Sequence, residues 1–266
     1  MKTLYIGETR KDFLENWKSH HQNLVVPKIG MPAELEFYQR MCEQTRQGFT
    51  ITNPVELRIE YASTIGIPGF NHSTTKIIHD GYNYSWRQIQ KEHHEVLTQG
   101  HRRLISKVTN NLSSEDRLKV EAFADFNYKL DCNKPEYFRM LQHMKTFETD
   151  KNNNPLFLIN LFSDITYLKK KEDCTLAIKM PDGKVLFYKF NVYSKTVSDF
   201  GPFSQREISI LQLLTHGLSS KQISALLFIS PHTVDTHRRN MLEMTNCVDT
   251  TALIVYCRML GIYLVG

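Results

Sequence analysis

Phe203-Ser204-Gln205-Arg206-Glu207-Ile208 opens a helix. Ser204 and Glu207 stand at the Ser-x-x-Glu spacing at which hydroxyl and carboxylate each satisfy a free backbone N–H of the first turn. Ile208, Leu211 and Leu214 then recur on one side at the helical period, and Gly217 offers the left-handed residue a helix end favours. Ser219-Ser220-Lys221-Gln222 repeats the box with glutamine and predicts a second helix through Ile223, Leu226 and Leu227. Ser230-Pro231 supplies an N-cap and a proline at the first helical position, predicting a third helix to about Met244. Asp249 caps a fourth that runs to Gly261. The tight turn between the second and third is that of a helix-turn-helix.

Working upstream, the period changes. Phe126, Tyr128 and Leu130 alternate with polar residues as a half-buried strand does. Tyr137 to Phe147 and Leu156 to Ser163 are two more strand candidates, the latter apolar enough to lie centrally, with Asp150–Pro155 as the turn between them. Cys174–Lys179 and Val185–Phe190 flank Pro181-Asp182-Gly183, a hairpin signal. Residues 84–112 predict one helix, 55–71 two weaker strands, and the first fifty residues two amphipathic helices, one around Phe13, Leu14 and Trp17, the other around Leu35, Tyr38, Met41 and Cys42. Helices beside consecutive antiparallel strands make an α+β domain. The expected organisation is an N-terminal helical extension (1–50), an α+β domain (51–172), a β-hairpin and linker (173–202, the linker being Asn191 to Pro202) and a small all-α helix-turn-helix domain (203–266).

Composition bounds the function. The 266 residues are 41% hydrophobic and 23% charged, and the richest apolar run, Leu156–Ile159, breaks at Asn160. A spanning helix needs about 20 apolar residues, so no membrane partner is expected. Leu4-Tyr5-Ile6 is too short for a signal-peptide core, and the 5 cysteines form no CxxC pair, which together predict reduced thiols in the cytoplasm. The net charge of +5 permits an anionic partner without requiring one. No phosphate loop, nucleophile elbow or His-Glu-x-x-His is present, so no enzyme is expected. Glu92-His93-His94-Glu95 groups metal-ligand types, but adjacent helical side chains diverge by about 100°, a poor metal site.

The residues quoted from 203 onward, with Gly217-Leu218-Ser219 and Ile229-Ser230-Pro231-His232-Thr233-Val234-Asp235-Thr236-His237, resemble the LuxR-type helix-turn-helix over nearly all of 203–262. Asn153-Asn154-Pro155, Asp164-Ile165-Thr166 and Lys169-Lys170-Lys171 resemble the end of a PAS domain. The whole chain is thus similar to bacterial PAS–LuxR transcriptional regulators. A receiver domain fits less well, because Gly7-Glu8 and Asn53-Pro54 stand where its acid pair and phospho-acceptor belong.

At about 100° per residue the third helix turns Val234, His237, Met241 and Thr245 inward and His232, Asp235, Thr236, Arg239 and Glu243 outward. The family's base-reading positions map onto Asp235, Thr236 and Arg239. Arginine forks onto guanine, threonine offers a hydroxyl and a methyl, and aspartate accepts from a cytosine amine. Lys221, Thr233 and Arg238 are the candidates for DNA-backbone contacts, which set register without reading sequence. Asp235, Met244, Thr245 and Thr250 depart from the family pattern, which weakens the expected phosphate grip. The resemblance implies a dimer contact on the fourth helix through Leu253, Tyr256, Cys257 and Leu260, where Arg258 alone is polar in a long apolar run. It also implies double-stranded DNA, a second copy of the chain and RNA polymerase as partners. The rival expectation is an adaptor that binds protein through the same helices. For the PAS-like domain the resemblance implies a small-molecule ligand of unknown identity or a role in dimerisation. His79, His93, His94 and His101 are the haem-ligand types present, but lone helical histidines are mostly hydrogen-bonded or solvated, so haem is not expected. Phe126, Tyr128, Tyr137, Met140, Met144, Phe157 and Ile159 are expected as core before ligand cage.

Overall fold

The computed structural model describes residues 40–262 except 43, 55, 57, 64, 65, 152, 154, 171 and 172, and within one helix omits the side chains of 96, 101 and 105–111. The expected helix around Phe13, Leu14 and Trp17 and the start of the next lie outside the described residues. The chain divides into two compact units, one ending at Ile165 and one starting at Thr166.

In the N-terminal unit, β1 (Gln47–Asn53), β2 (Arg58–Ala62), β3 (Glu121–Lys129), β4 (Tyr137–Thr149) and β5 (Pro155–Asp164) form an antiparallel sheet in the order β2-β1-β5-β4-β3. Between β2 and β3 run α1 (Thr74–Gln88), a 3-10 turn (Lys91–His93), α2 (His94–Asn111) and α3 (Ser114–Arg117). Strand alternation gives the sheet two apolar faces. Phe49, Ile51, Phe157 and Ile159 form a core cluster on one. Phe126, Tyr128, Phe138 and Met140 pack with Ile89, Leu97 and Trp86 from the helical segment on the other.

Two expectations fail here. β1 crosses residue 50, where the domain was to begin: Phe49 and Ile51 pair with Leu161 and Ile159 of β5 and are fully buried. The helix expected over 84–112 is interrupted. Ile89 is extended (φ −76°, ψ 137°) and bridges Tyr128, while the Gln90 N–H donates to the Asn127 carbonyl at 3.0 Å. Pairing with β3 satisfies these groups better than continuing the helix. α1 itself starts at a Ser73 cap and kinks at Gly81, whose φ of 55° and ψ of −138° suit a residue without Cβ.

His93 shows how the helical segment is pinned to the sheet. It is 1% exposed, and its Nδ1 accepts the Asn127 backbone N–H at 2.9 Å. Burial, and then the Arg139 guanidinium nearby, push its pKa down from 6.5 to about 4, so the fold favours the neutral ring. The stabilisation this gives is complete above pH 6.5 and is lost as pH falls from there toward 4, amounting to about 3 kcal/mol. Urea midpoints measured across that range should fall with acid, and His93→Asn, whose amide oxygen still accepts, should flatten that part of the profile.

The C-terminal unit contains an antiparallel meander, β6 (Asp173–Lys179), β7 (Val185–Asn191) and β8 (Thr196–Pro202), then α4 (Gln205–Thr215), α5 (Ser220–Leu227), α6 (Pro231–Thr245) and α7 (Thr250–Met259). The β6–β7 hairpin turns as expected, with Gly183 at φ 83° and its N–H on the Met180 carbonyl. The linker expected over Asn191–Pro202 is instead largely β8, paired with β7 from Asn191↔Thr196 to Leu186↔Pro202. Gly201-Pro202 marks the end of a strand, not a flexible joint. The α+β domain of antiparallel sheet and packed helices, followed by a small helical domain, is the expected fold class.

Candidate nucleic-acid interface

Each helix of the C-terminal unit starts where its cap says. The Ser204 N–H donates to Glu207 Oε2 at 2.8 Å and the Glu207 N–H to Ser204 Oγ at 3.2 Å; Ser219 and Gln222 repeat this at 2.9 and 3.4 Å. α5 ends on Phe228 in the left-handed region (φ 53°, ψ 46°), and Arg206 Nη2 donates to the Leu227 carbonyl at 2.6 Å. Two residues later Ser230 caps α6, so the turn is tight and orients α6 across α5. Ile210, Leu211, Ile223, Val234 and Met241 are fully buried and hold the helices together.

α6 divides largely as its period predicts. Val234, Met241 and Thr245 point inward, and His237 is only half-buried, its Nδ1 lying 3.9 Å from Glu207 Oε1. Of the base-reading candidates, Arg239 is exposed and Asp235 has 60% of its side chain exposed; Thr236 is half-buried, with its hydroxyl donating to the His232 carbonyl at 3.0 Å. Of the backbone candidates, Lys221 is exposed, and Thr233 lies beside the Ser230 hydroxyl at 2.8 Å.

Arg238 is not a free cation. Its Nη1 donates to Ser220 Oγ at 2.7 Å and its Nη2 to Thr250 Oγ1 at 2.9 Å, while the Ser220 hydroxyl donates to Asp235 Oδ1 at 2.6 Å. Asp235 and Arg238 therefore brace α5, α6 and α7 against one another. Local pattern did not reveal this, because Ser220 and Thr250 are brought to Arg238 only by the fold.

The expected dimer contact is corrected. Leu253, Tyr256, Cys257 and Leu260 are each fully buried. Within the same unit the Tyr256 hydroxyl lies 3.0 Å from Thr175 Oγ1 of β6. Burial holds the Cys257 thiol well above its ordinary pKa. The surplus apolar face of α7 has found a partner within its own unit.

In the N-terminal unit, about 90 Å³ of cavity lies between sheet and helices, lined among others by Thr52, Tyr82, Trp86, Phe126, Tyr128 and Asn160. Among the described residues that line it, none is charged. Phe126, Tyr128 and Met140 border it; Phe157 and Ile159 are core on the other face, Tyr137 is 40% exposed and Met144 half-buried. Three of the four histidines are engaged: His93 as above, His94 Nε2 with the Trp86 carbonyl at 3.0 Å, and exposed His79 with Asp80 at 2.8 Å. The His101 side chain lies outside the described residues. No group of three or more metal-ligand side chains gathers among the described residues.

Residues 201–257 match the family of bacterial regulatory proteins, luxR family, so this stretch is a LuxR-type helix-turn-helix. Among curated proteins, the chain is 38% identical over 61 residues to the uncharacterized transcriptional regulatory protein YxjL of Bacillus subtilis, covering 23% of this chain and 28% of that one. It is 34% identical over 118 residues to the nitrate/nitrite response regulator protein NarP of Escherichia coli, covering 40% and 55%. The chain thus spans from about a quarter to about half the length of these relatives. Similar solved structures include a Vibrio cholera VqmA–ligand–DNA complex, with 10% identity, a TM-score of 0.29 and coverage of 90% and 92%. VqmA bound to DPO has 11% identity, a TM-score of 0.26 and coverage of 85% and 88%. Among the described residues no helix is long and apolar enough to cross a membrane.

Proposed function

We propose that this chain is a sequence-specific, DNA-binding transcriptional regulator of the cytoplasm, whose N-terminal unit senses a signal. The observation that carries the reading is the LuxR-type match over α4–α6, with Arg239 exposed on the outer face of α6. Arg239 reads a base edge, Thr236 adds a methyl contact, and Lys221 with Thr233 holds phosphate. Asp235 shares its carboxylate with Ser220, so its part in reading is secondary. The four helices and their flanks, residues 200–266, carry a net charge of only +1 by formal count (Arg206, Lys221, Arg238, Arg239 and Arg258 against Glu207, Asp235, Glu243 and Asp249). One copy therefore binds weakly, and two copies share a two-fold site. A signal in the uncharged cavity shifts how the two are presented. The ligand class is small and neutral, since none of the described lining side chains carries a charge.

Selection from a random duplex pool with the full chain, at low and at near-physiological salt, tests this. A two-fold-related motif should enrich. Arg239→Ala should weaken binding to that motif by about 1–3 kcal/mol and relax preference at one base position. No enrichment at either salt would remove the reading.

One observation favours a second, adaptor reading: Leu226 and Phe228, beside the turn, are 55% and 93% exposed, as a protein-binding surface would be. In a regulator the same surface meets RNA polymerase. Arg239→Ala separates the two, since an adaptor keeps its function when that cation is lost.

A further inference from the structure

Lys169, the first residue of the basic run Lys169-Lys170-Lys171, is 4% exposed. Its ammonium donates to Thr175 Oγ1 at 2.9 Å and to the Thr245 carbonyl at 2.5 Å, and lies 3.4 Å from the centre of the Tyr256 ring. A buried ammonium is costly unless such partners hold it, so this side chain joins β6, the end of α6 and α7 into one piece. The backbone beside it does the same. The Lys170 N–H donates to the Asn246 carbonyl and the Val248 N–H to the Leu168 carbonyl, both at 3.0 Å, and Asn246 Nδ2 donates to the carbonyls of Lys170 and Asp173 at 3.1 and 2.8 Å.

Next to this short ladder, the hairpin and the outer face of α6 line one cleft of about 610 Å³. Lys170, Asp173 and Lys189 stand on one wall, and Asp235, Arg238, Arg239 and Glu243 on the other. A helix seated in a major groove about 12 Å wide has sugar–phosphate backbone along both flanks. One flank of α6 is already taken by protein: the hairpin wall, on which Asp173 pairs with Lys189 at 3.7 Å, stands where a phosphate wall would run.

We propose that the β6–β7 hairpin is an intramolecular clamp that keeps α6 from seating in duplex DNA, and that release of Lys169 from α6 and α7 opens it. The inference rests on the reading of α6 as the DNA-reading helix. It adds that the structure is the closed state of that reader.

The ladder supplies its own test. Lys169 and Cys247 face each other across it, and the flanking hydrogen bonds make them a non-hydrogen-bonded antiparallel pair. Such pairs have Cα atoms about 4.5 Å apart, within disulfide range. Lys169→Cys in the full chain therefore places a thiol opposite the native Cys247. Oxidised, the clamp is locked; reduced, it lacks its lysine. With a labelled duplex pool at low salt, the reduced form should bind at least tenfold tighter than the oxidised form and tighter than the unchanged chain. Lys169→Met, which keeps the aliphatic stem, should also bind tighter than the unchanged chain, with a native circular dichroism spectrum. Equal binding by oxidised and reduced forms overturns the clamp, as does failure of the 169–247 disulfide to appear on peptide mapping. If the unchanged chain, the reduced variant and Lys169→Met are all folded and none binds duplex, the DNA-reading assignment itself falls and the clamp with it.

Discussion

Replacing Arg139 with alanine is expected to lower the stability of the N-terminal unit by about 3–5 kcal/mol. Arg139 on β4 and Asp125 on β3 form an ion pair at 3.1 Å, with side chains 4% and 0% exposed. Their strands run antiparallel with Asn127 opposite Arg139, so the pair is diagonal across the ladder. Removing the guanidinium leaves a carboxylate in a site with no access to water, which is the expensive way to break a buried pair. The double variant Asp125→Leu/Arg139→Met removes both charges and should recover most of the loss. Urea unfolding followed by tryptophan emission measures both, and a single variant no less stable than the double would show that the ion pair is not what holds this part of the sheet.

The second large effect belongs to Tyr256. Tyr256→Ala should destabilise the C-terminal unit by about 3–5 kcal/mol, the usual cost of removing a large buried ring. The ring is fully buried, carries the Lys169 ammonium on its face and places its hydroxyl on Thr175. Tyr256→Phe keeps ring and cation contact and loses one hydrogen bond, so about 1 kcal/mol is expected. Thermal unfolding of the two variants should separate them clearly. If phenylalanine costs as much as alanine, the hydroxyl and not the packing dominates the joint between hairpin and helices.

The helix-turn-helix was legible because its signals are local. Ser204, Ser219 and Ser230 each announce a helix within three residues of themselves, and Pro231 fixes where α6 begins. The central strands were legible because alternation survives wherever one face differs from the other. β1 was missed because it abuts a helical pattern and its Thr50 and Thr52, though polar, are buried beside the cavity. β8 was missed because Gly201-Pro202 drew attention to the end of the segment and away from Val197, its buried anchor. The break at Ile89 could not be seen without β3, whose Asn127 and Tyr128 cause it.

At the candidate interface, Arg239 is legible from period and resemblance, whereas the bracing partners of Arg238 are not: they stand 18 positions before it and 12 after it. Lys169 offered no sign at all. In sequence it belongs to a solvated basic run, and only the closeness of Thr245 and Tyr256 makes it interior.

The meander's place within the second unit changes where the molecule should be cut. A fragment beginning at Phe203, as the helix pattern alone recommends, would leave the Tyr256 hydroxyl without Thr175 and its ring without Lys169. Such a fragment should unfold at a lower temperature than one cut at Thr166, which thermal unfolding of the two would measure. Grafting this reader onto another sensor should therefore begin at Thr166, so that the strands travel with the helices they cover.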